Sequence, residues 1–151
     1  MDEDKVIISI DPGVTTGLAV CSISKELHIT PMFIADSREI SIIIREVDIA
    51  IRTMGADVVI VEDFIGGGFR NKDSKRTIET LGFIRLYYSL IMERKVVVQQ
   101  PQFRKHAYQE ACKLLKSNGI TKVHHAKDAL AHLVAYCIKE HSYEKKHDVS
   151  S

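Results

Sequence analysis

Cysteine is scarce in this chain. Cys21, Cys112 and Cys137 are its three thiols, too few and too widely spaced for a disulfide framework, and none belongs to a CxxC pair. A disulfide-stapled secreted scaffold is excluded, and the three are expected to be buried thiols in a reducing compartment. Net charge is nearly absent as well: 21 Lys and Arg against 20 Asp and Glu leave +1. That excludes a histone-like basic protein. A polyanionic partner would have to meet a local patch, because the global field is weak. Long apolar runs are missing too. No window approaches the roughly 20 residues of a membrane span, and Met1 to Lys5 is acidic and polar, without the basic segment and apolar stretch of a secretory signal. The expectation is a cytosolic protein with no membrane contact. There are no internal repeats, linkers or low-complexity segments.

What is present is an ordinary globular composition, 45% hydrophobic and 27% charged over 151 residues. That length is close to the commonest size of one domain and can bury roughly two-thirds of the unfolded surface. One active site must fit one core. Residues 1–142 are expected to form the single domain and 143–151 a flexible polar tail, with fraying from about His141.

Val6 to Asp11 is a nearly unbroken β-branched run, suited to a strand covered on both faces, and Asp11-Pro12-Gly13 stops it with turn chemistry. Asp11 therefore ends a strand. Gly17 to Ile23 and Leu27 to Ala35 read as two more strands joined by a short polar link, which predicts an antiparallel meander. Asp36-Ser37 reads as an N-cap. After it, Ile40, Ile43, Ile44, Val47 and Ile51 repeat at helical spacing until Gly55 supplies the stop. Asp57 to Phe64 is a further buried strand with Glu62 and Asp63 at its carboxyl end. Adjacent strand residues point to opposite faces, so one of that pair faces a site and the other is a solvated strand end.

The basic stretch Arg70 to Arg76 leads into a helix expected over Thr77 to Glu93, whose apolar residues leave almost no polar face and imply burial on both sides. Lys95 to Gln100 is a strand, Phe103 to Lys116 an amphipathic helix entered through Pro101, and His124 to Glu140 a final helix. The order β-β-β-α-β-α-β-α-α predicts one mixed α/β domain.

Open α/β sheets bind ligands at strand carboxyl ends. Asp11 and Glu62 sit there. His125 and Asp128, at i and i+3, share one side of the last helix and could face the two strand carboxylates if that helix packs over the sheet edge. Carboxylates with an imidazole suit Mg²⁺ or Mn²⁺, and clustered acids recur at phosphoryl-transfer sites. The bland readings are a simple turn for Asp-Pro-Gly and an N-cap neighbour or satisfied core imidazole for His125. His124, Asp128 and His132, at i, i+4 and i+8, outline a single-helix zinc site, but no further ligand lies near in sequence and His132 reads as structural. Gly66-Gly67-Gly68 lacks the GxxxxGK[ST] order of a phosphate loop.

Ile10-Asp11-Pro12-Gly13 with Thr16-Gly17, Val61-Glu62-Asp63-Phe64, and His125-Ala126-Lys127-Asp128-Ala129-Leu130-Ala131 resemble, in chain order, the three acidic motifs of RuvC-like Holliday junction resolvases. The likeness spans most of the chain, and the phage-encoded branch is a natural fit. It implies a ribonuclease H-like α/β fold: a mixed five-stranded sheet, three antiparallel strands then βα units, flanked by helices. It also implies a homodimeric, Mg²⁺-dependent crossover junction endonuclease, with Mn²⁺ as a substitute, that nicks two opposed strands of a four-way DNA junction. The setting would be a bacterial or phage-infected cytoplasm. Asp11, Glu62 and Asp128 carry over directly as catalytic metal ligands. His125 matches members with His three residues before the last Asp, as a ligand or a general acid/base. The aromatic that follows the motif Glu corresponds to Phe64 or Phe69.

Arg70, Lys72, Lys75, Arg76, Arg104, Lys105 and Lys127 flank the acidic motifs in sequence and are the expected phosphate contacts, against the alternative of a merely solvated surface. The Thr77–Glu93 helix carries apolar residues around too much of its circumference for one sheet contact. A second copy is the simplest cover, and a C-terminal helix lying over it is the alternative. Competing functions are a pre-ribosomal RNA nuclease of the YqgF type, whose second motif does not carry Glu at a strand end, and a non-catalytic nucleic-acid-binding module. An actin-like ATPase or sugar kinase needs two related domains, more than 151 residues supply.

Overall fold

The computed structural model describes residues 4–64 and 72–149, with side chains to residue 142. Five strands form one sheet: β1 (Lys5–Asp11), β2 (Thr16–Ile23), β3 (Ile29–Ser37), β4 (Val58–Glu62) and β5 (Lys95–Gln99), in the order β3-β2-β1-β4-β5. The first three pair antiparallel, as their short polar links predict. β4 and β5 are added parallel to β1, as crossover helices require. This is the mixed five-stranded sheet, three antiparallel strands then parallel ones, that the element order predicts. Pro31 is accommodated because β3 is an edge strand, where a missing N–H costs no ladder bond.

Strand parity decides what faces what. Ile8, Ile10, Val59 and Val61 pack into one core with Ile43 and Val47 of α1 (Ile40–Met54) and with Leu81 and Ile84 of α2 (Lys72–Leu86). Ile7 and Ile60 pack on the other face, with Ala111 and Leu115 of α3 (Tyr108–Ser117) and Leu130 and Leu133 of α4 (His125–Val149). Counting by twos from Ile7 and Ile60, Asp11 and Glu62 belong to the α4 face. Glu62 is thus the site-facing member of the Glu62-Asp63 pair. Asp63 instead accepts the Phe64 N–H at 2.9 Å, while its own N–H donates to the Gln99 carbonyl at 2.8 Å.

Several elements differ from expectation. The helix expected from Thr77 begins at Lys72, so Lys72, Lys75 and Arg76 stand on α2 itself and Thr77 is buried within it. Within the chain it is buried on one side. Leu81, Ile84 and Tyr88 are covered, whereas Phe83 (46% exposed), Leu86 (61%), Leu90 (69%) and Ile91 (69%) face outward. Tyr87–Ile91 is π-helical, its wider turn closed by the Met92 N–H on the Tyr87 carbonyl at 2.9 Å. The consecutive hydroxyls of Tyr87 and Tyr88 both donate to the Asp48 carboxylate of α1, at 3.3 and 3.4 Å.

The helix expected over Phe103–Lys116 is divided into a 3₁₀ segment, Pro101–His106, and α3. α4 continues past the expected end at Glu140 to Val149. Gly55 stops α1 in the left-handed conformation, φ 69°, as its position predicts. Asp36-Ser37 does not cap α1: the N-cap is Glu39, without a side-chain bond. Cys21 and Cys137 are buried, and Cys112 is partly exposed. Among the described residues, no helix is long and apolar enough to cross a membrane.

Candidate active site

The parallel strands β1 and β4 finish at the same end of the sheet, and α4, which packs along one face, brings its first turns over that end. His125, Asp128 and His132 fall at i, i+3 and i+7 on α4, one helical face, turned to the sheet. Asp11 is 13% exposed, and the Nδ1 of His125 lies 3.9 Å from its Oδ2. Glu62 is buried. Its two carboxylate oxygens accept from Nη1 of Arg104 at 2.9 and 3.0 Å, and the same nitrogen lies 3.4 Å from Oδ2 of Asp128. One guanidinium therefore joins two of the sequence-predicted acids.

Behind Glu62 stands His132, wholly buried, its Nε2 3.3 Å from Glu62 Oε2 without hydrogen-bond alignment. The His132 backbone carbonyl accepts from Gln99 Nε2 at 3.1 Å, which ties α4 to the end of β5.

The electrostatics express crowding. Burial, and then the negative charges of Glu62 and Asp128, push the Asp11 carboxyl up to about 9 from 3.8, against the opposing pull of Arg104. Burial raises Asp128 as well, with Arg104 opposing and Glu62 adding to the rise. For Glu62 burial acts upward too, but His132, Asp11 and Arg104 together outweigh it and hold the carboxyl below its ordinary value. Glu62 is the resident anion, and the proton forced onto Asp11 offsets charge that one guanidinium leaves uncompensated.

A hard divalent cation fits this donor set by its chemistry: three carboxylates with too little positive charge between them, and an imidazole at the rim. Among the described residues, no three acidic, imidazole or thiol groups already form a coordination sphere, and Arg104 supplies the local positive charge. The single-helix zinc arrangement does not occur. His124 precedes α4 and is exposed, whereas His132 is buried behind Glu62.

Of the remaining sequence candidates, Phe64 packs against the α1 and α2 core on the far face of the sheet. Arg104, expected at a DNA phosphate, is turned into the acid cluster because the 3₁₀ segment carries it back from the end of β5 beside β4. Lys105, Lys72, Lys75 and Arg76 are exposed. Lys75 Nζ reaches Glu79 at 4.0 Å, Arg76 donates to the Arg38 carbonyl at 3.2 Å, and Lys127 lies over the Tyr108 ring. Phe69 and Arg70 lie outside the described residues.

Sequence spacing does not single out Gln99 or Asp36 as parts of this end of the molecule, and it marks Arg104 as a phosphate contact and not as a partner of the acids. His132, which reads as structural in the sequence, is the i+7 step of the His125–Asp128 helical face, and that spacing is the signal that marks it.

No protein-family model matches the sequence, and no curated protein does. Solved structures do match. The chain is similar to Thermus thermophilus RuvC in complex with a Holliday junction substrate: TM-score 0.65, 21% identity, over 86% of this chain and 91% of that one. It is similar to the fowlpox virus Holliday junction resolvase, with TM-score 0.57 and 20% identity over 91% and 99% of the two chains. It is also similar to the yeast mitochondrial Holliday junction resolvase, with TM-score 0.61 and 12% identity over 97% and 82%. The fold is that of the RuvC-like resolvases, in the ribonuclease H-like class.

Proposed function

We propose that this chain is a divalent-metal-dependent endonuclease that resolves four-way or other branched DNA by paired nicks, acting as a homodimer. The observation that carries the reading is the convergence of Asp11, Glu62 and Asp128 beneath α4, with Asp11 driven to about 9 by burial and by its acidic neighbours. Support comes from the solved resolvases of this fold, two of which are described in complex with Holliday junction DNA. Asp11, Glu62 and Asp128 would hold Mg²⁺, with Mn²⁺ as a substitute. The bound cation would supply Lewis acidity, lowering the pKa of water and offsetting charge on the phosphodiester.

The chain's own groups do the rest. Hydrolysis joins a water oxygen to phosphorus, breaks the bond to the bridging oxygen, and delivers a proton to that leaving oxygen. His125, 46% exposed and 3.9 Å from Asp11, would carry protons in this exchange. Arg104 holds the Glu62 carboxylate from beside, and the His132 ring stands 3.3 Å behind it.

The test is cleavage of labelled four-way, three-way, flap and duplex DNA, and of RNA, with and without Mg²⁺. Metal-dependent cutting of branched DNA is expected. Cutting of RNA alone, or binding without cutting, would contradict it.

The exposed bases Lys72, Lys75, Arg76 and Lys105 are the proposed phosphate contacts, with Lys127 nearer the acids. Neutralising Lys75 and Arg76 together is expected to lower the salt slope of junction binding by about 2, since each phosphate contact releases counterion. An unchanged slope in a filter-binding titration would move the DNA face elsewhere.

The dimer is proposed through Phe83, Leu86, Leu90 and Ile91, an apolar strip that is exposed among the described residues. Phe83 stacks on Tyr87 with ring centroids 5.3 Å apart, giving the strip a rigid aromatic end. Two-fold pairing would present two identical acid clusters to opposed strands of a junction. In sedimentation at micromolar protein, wild type is expected at twice the 17.0 kDa chain mass and Leu90→Glu with Ile91→Glu at the chain mass itself. A wild-type monomer, free and junction-bound, would remove the interface.

A further inference from the structure

α4 carries two of the candidate site residues but lacks a cap of its own. The residues before it, Thr121-Lys122-Val123-His124, put His124 where a helix needs a short oxygen-bearing side chain. The cap comes instead from β3. Both carboxylate oxygens of Asp36 accept from the start of α4: the His124 N–H at 2.9 Å, the His125 N–H at 3.3 Å and the Ala126 N–H at 2.6 Å. Three of the amides that a helix start leaves orphaned are thus satisfied by one anion, set against the positive end of the helix.

Register explains why that anion is in reach. Asp11 pairs with Gly17 across β1 and β2, and Gly17 pairs with Asp36 across β2 and β3. The three form one row across the sheet, and residues directly opposite one another share a face. The first turn of α4 lies along this row. A Cβ on Gly17 would fall 2.2 Å from the carbonyl carbon and oxygen of His125 and 2.4 Å from the Ala126 nitrogen, all backbone atoms. Only a residue without a side chain lets the helix settle there. At the inner end of the row His125 comes to 3.9 Å from Asp11.

We propose that Asp36 and Gly17 form a seat that locks the first turn of α4, and that both are positioning residues: they set His125 and Asp128 against Asp11 and Glu62 while touching neither substrate nor cation. The proposal rests on the nuclease reading for its catalytic consequence, but the seat is measurable without cleavage.

The test compares Asp36→Ala, Asp36→Asn and Gly17→Ala with wild type in four readouts. These are thermal unfolding, four-way junction affinity, single-turnover cleavage in Mg²⁺, and Mn²⁺ affinity by calorimetry without DNA. Asp36→Ala is expected to bind the junction within about twofold of wild type, to bind Mn²⁺ about 10-fold more weakly, and to cleave about 10- to 100-fold more slowly, the range seen when groups supporting metal ligands are removed. Asn keeps one acceptor oxygen and is expected to recover most of both losses. Gly17→Ala, which presses on the same turn from beneath, is expected to reproduce the Asp36→Ala pattern.

Should Asp36→Ala fail to fold, Asp36→Ser takes its place, with the same expected order below Asn. A folded Ala or Ser variant with wild-type Mn²⁺ affinity would overturn the seat, whatever the cleavage result. Wild-type protein that binds Mn²⁺, loses that affinity in Asp36→Ala and cuts no branched DNA would overturn the nuclease reading and leave the seat standing.

Discussion

Asp128→Asn is expected to bind a four-way junction with unaltered affinity and leave it uncut, as are Asp11→Asn and Glu62→Gln. Each replacement is nearly isosteric and removes a carboxyl ligand from the acid cluster, while the bases proposed to grip phosphate stand on α2, on the 3₁₀ segment and, as Lys127, on α4. Lewis-acid stabilisation of a phosphoryl transition state is worth several kcal/mol, and about 4 kcal/mol corresponds to roughly a 10³-fold loss of rate. Single-turnover cleavage of labelled junction beside a binding titration checks this. Retention of wild-type turnover by Asp128→Asn would show that the third acid is not part of the site.

Asp11→Asn is expected to do something further: to make the metal-free protein more stable than wild type. Asp11 is ordinarily half-protonated at 3.8 and is pushed up to about 9 by burial and by Glu62 and Asp128. The folded state therefore binds its proton more tightly than the unfolded chain. Stability from this group is complete below 3.8 and is lost progressively as pH rises toward 9. At pH 7 the loss approaches about 4 kcal/mol as an upper bound.

Asparagine cannot ionise and escapes that cost. A gain of about 2 kcal/mol, or roughly 5 °C in Tm, is expected at pH 7 to 8 in EDTA, shrinking toward zero near pH 4. Saturating Mg²⁺ is expected to raise the Tm of wild type more than that of Asp11→Asn, because a ligand that binds the folded state stabilises it in proportion to its affinity. A metal-free Asp11→Asn less stable than wild type at pH 8 would mean that Asp11 is not under like-charge strain. Such a residue, costly to the fold and indispensable to the proposed chemistry, is where function and stability are expected to diverge.

Asp11 and Glu62 were legible in the sequence because each is a polar residue ending an apolar strand, where only backbone order and strand parity are needed to place it. His125 and Asp128 were legible as a pair from helical spacing alone. Which of Glu62 and Asp63 faced the site required knowing that Ile60 packs under α4, a long-range fact.

Arg104 reads in the sequence as a phosphate contact because, with Lys105, it forms a basic cluster flanking the acidic motifs. Only the parallel pairing of β4 and β5 brings the segment that follows β5 alongside Glu62. Asp36 was assigned to the nearest helix start, a local rule, and was drawn instead to a helix whose own N-terminal sequence offers no cap. Apolar content around the α2 helix tells how much must be covered, not whether the same chain or a second copy covers it. The exposure of Phe83, Leu86, Leu90 and Ile91 is the residue of that difference.

The most direct measurement is anomalous scattering from crystals of the protein grown with Mn²⁺. A peak is predicted between the carboxylates of Asp11, Glu62 and Asp128, with the Arg104 guanidinium withdrawn from Glu62, and no peak there in Asp11→Asn. A map without density at that point, from protein that still cuts branched DNA in Mn²⁺, would contradict the assignment of these three acids as the metal-binding centre.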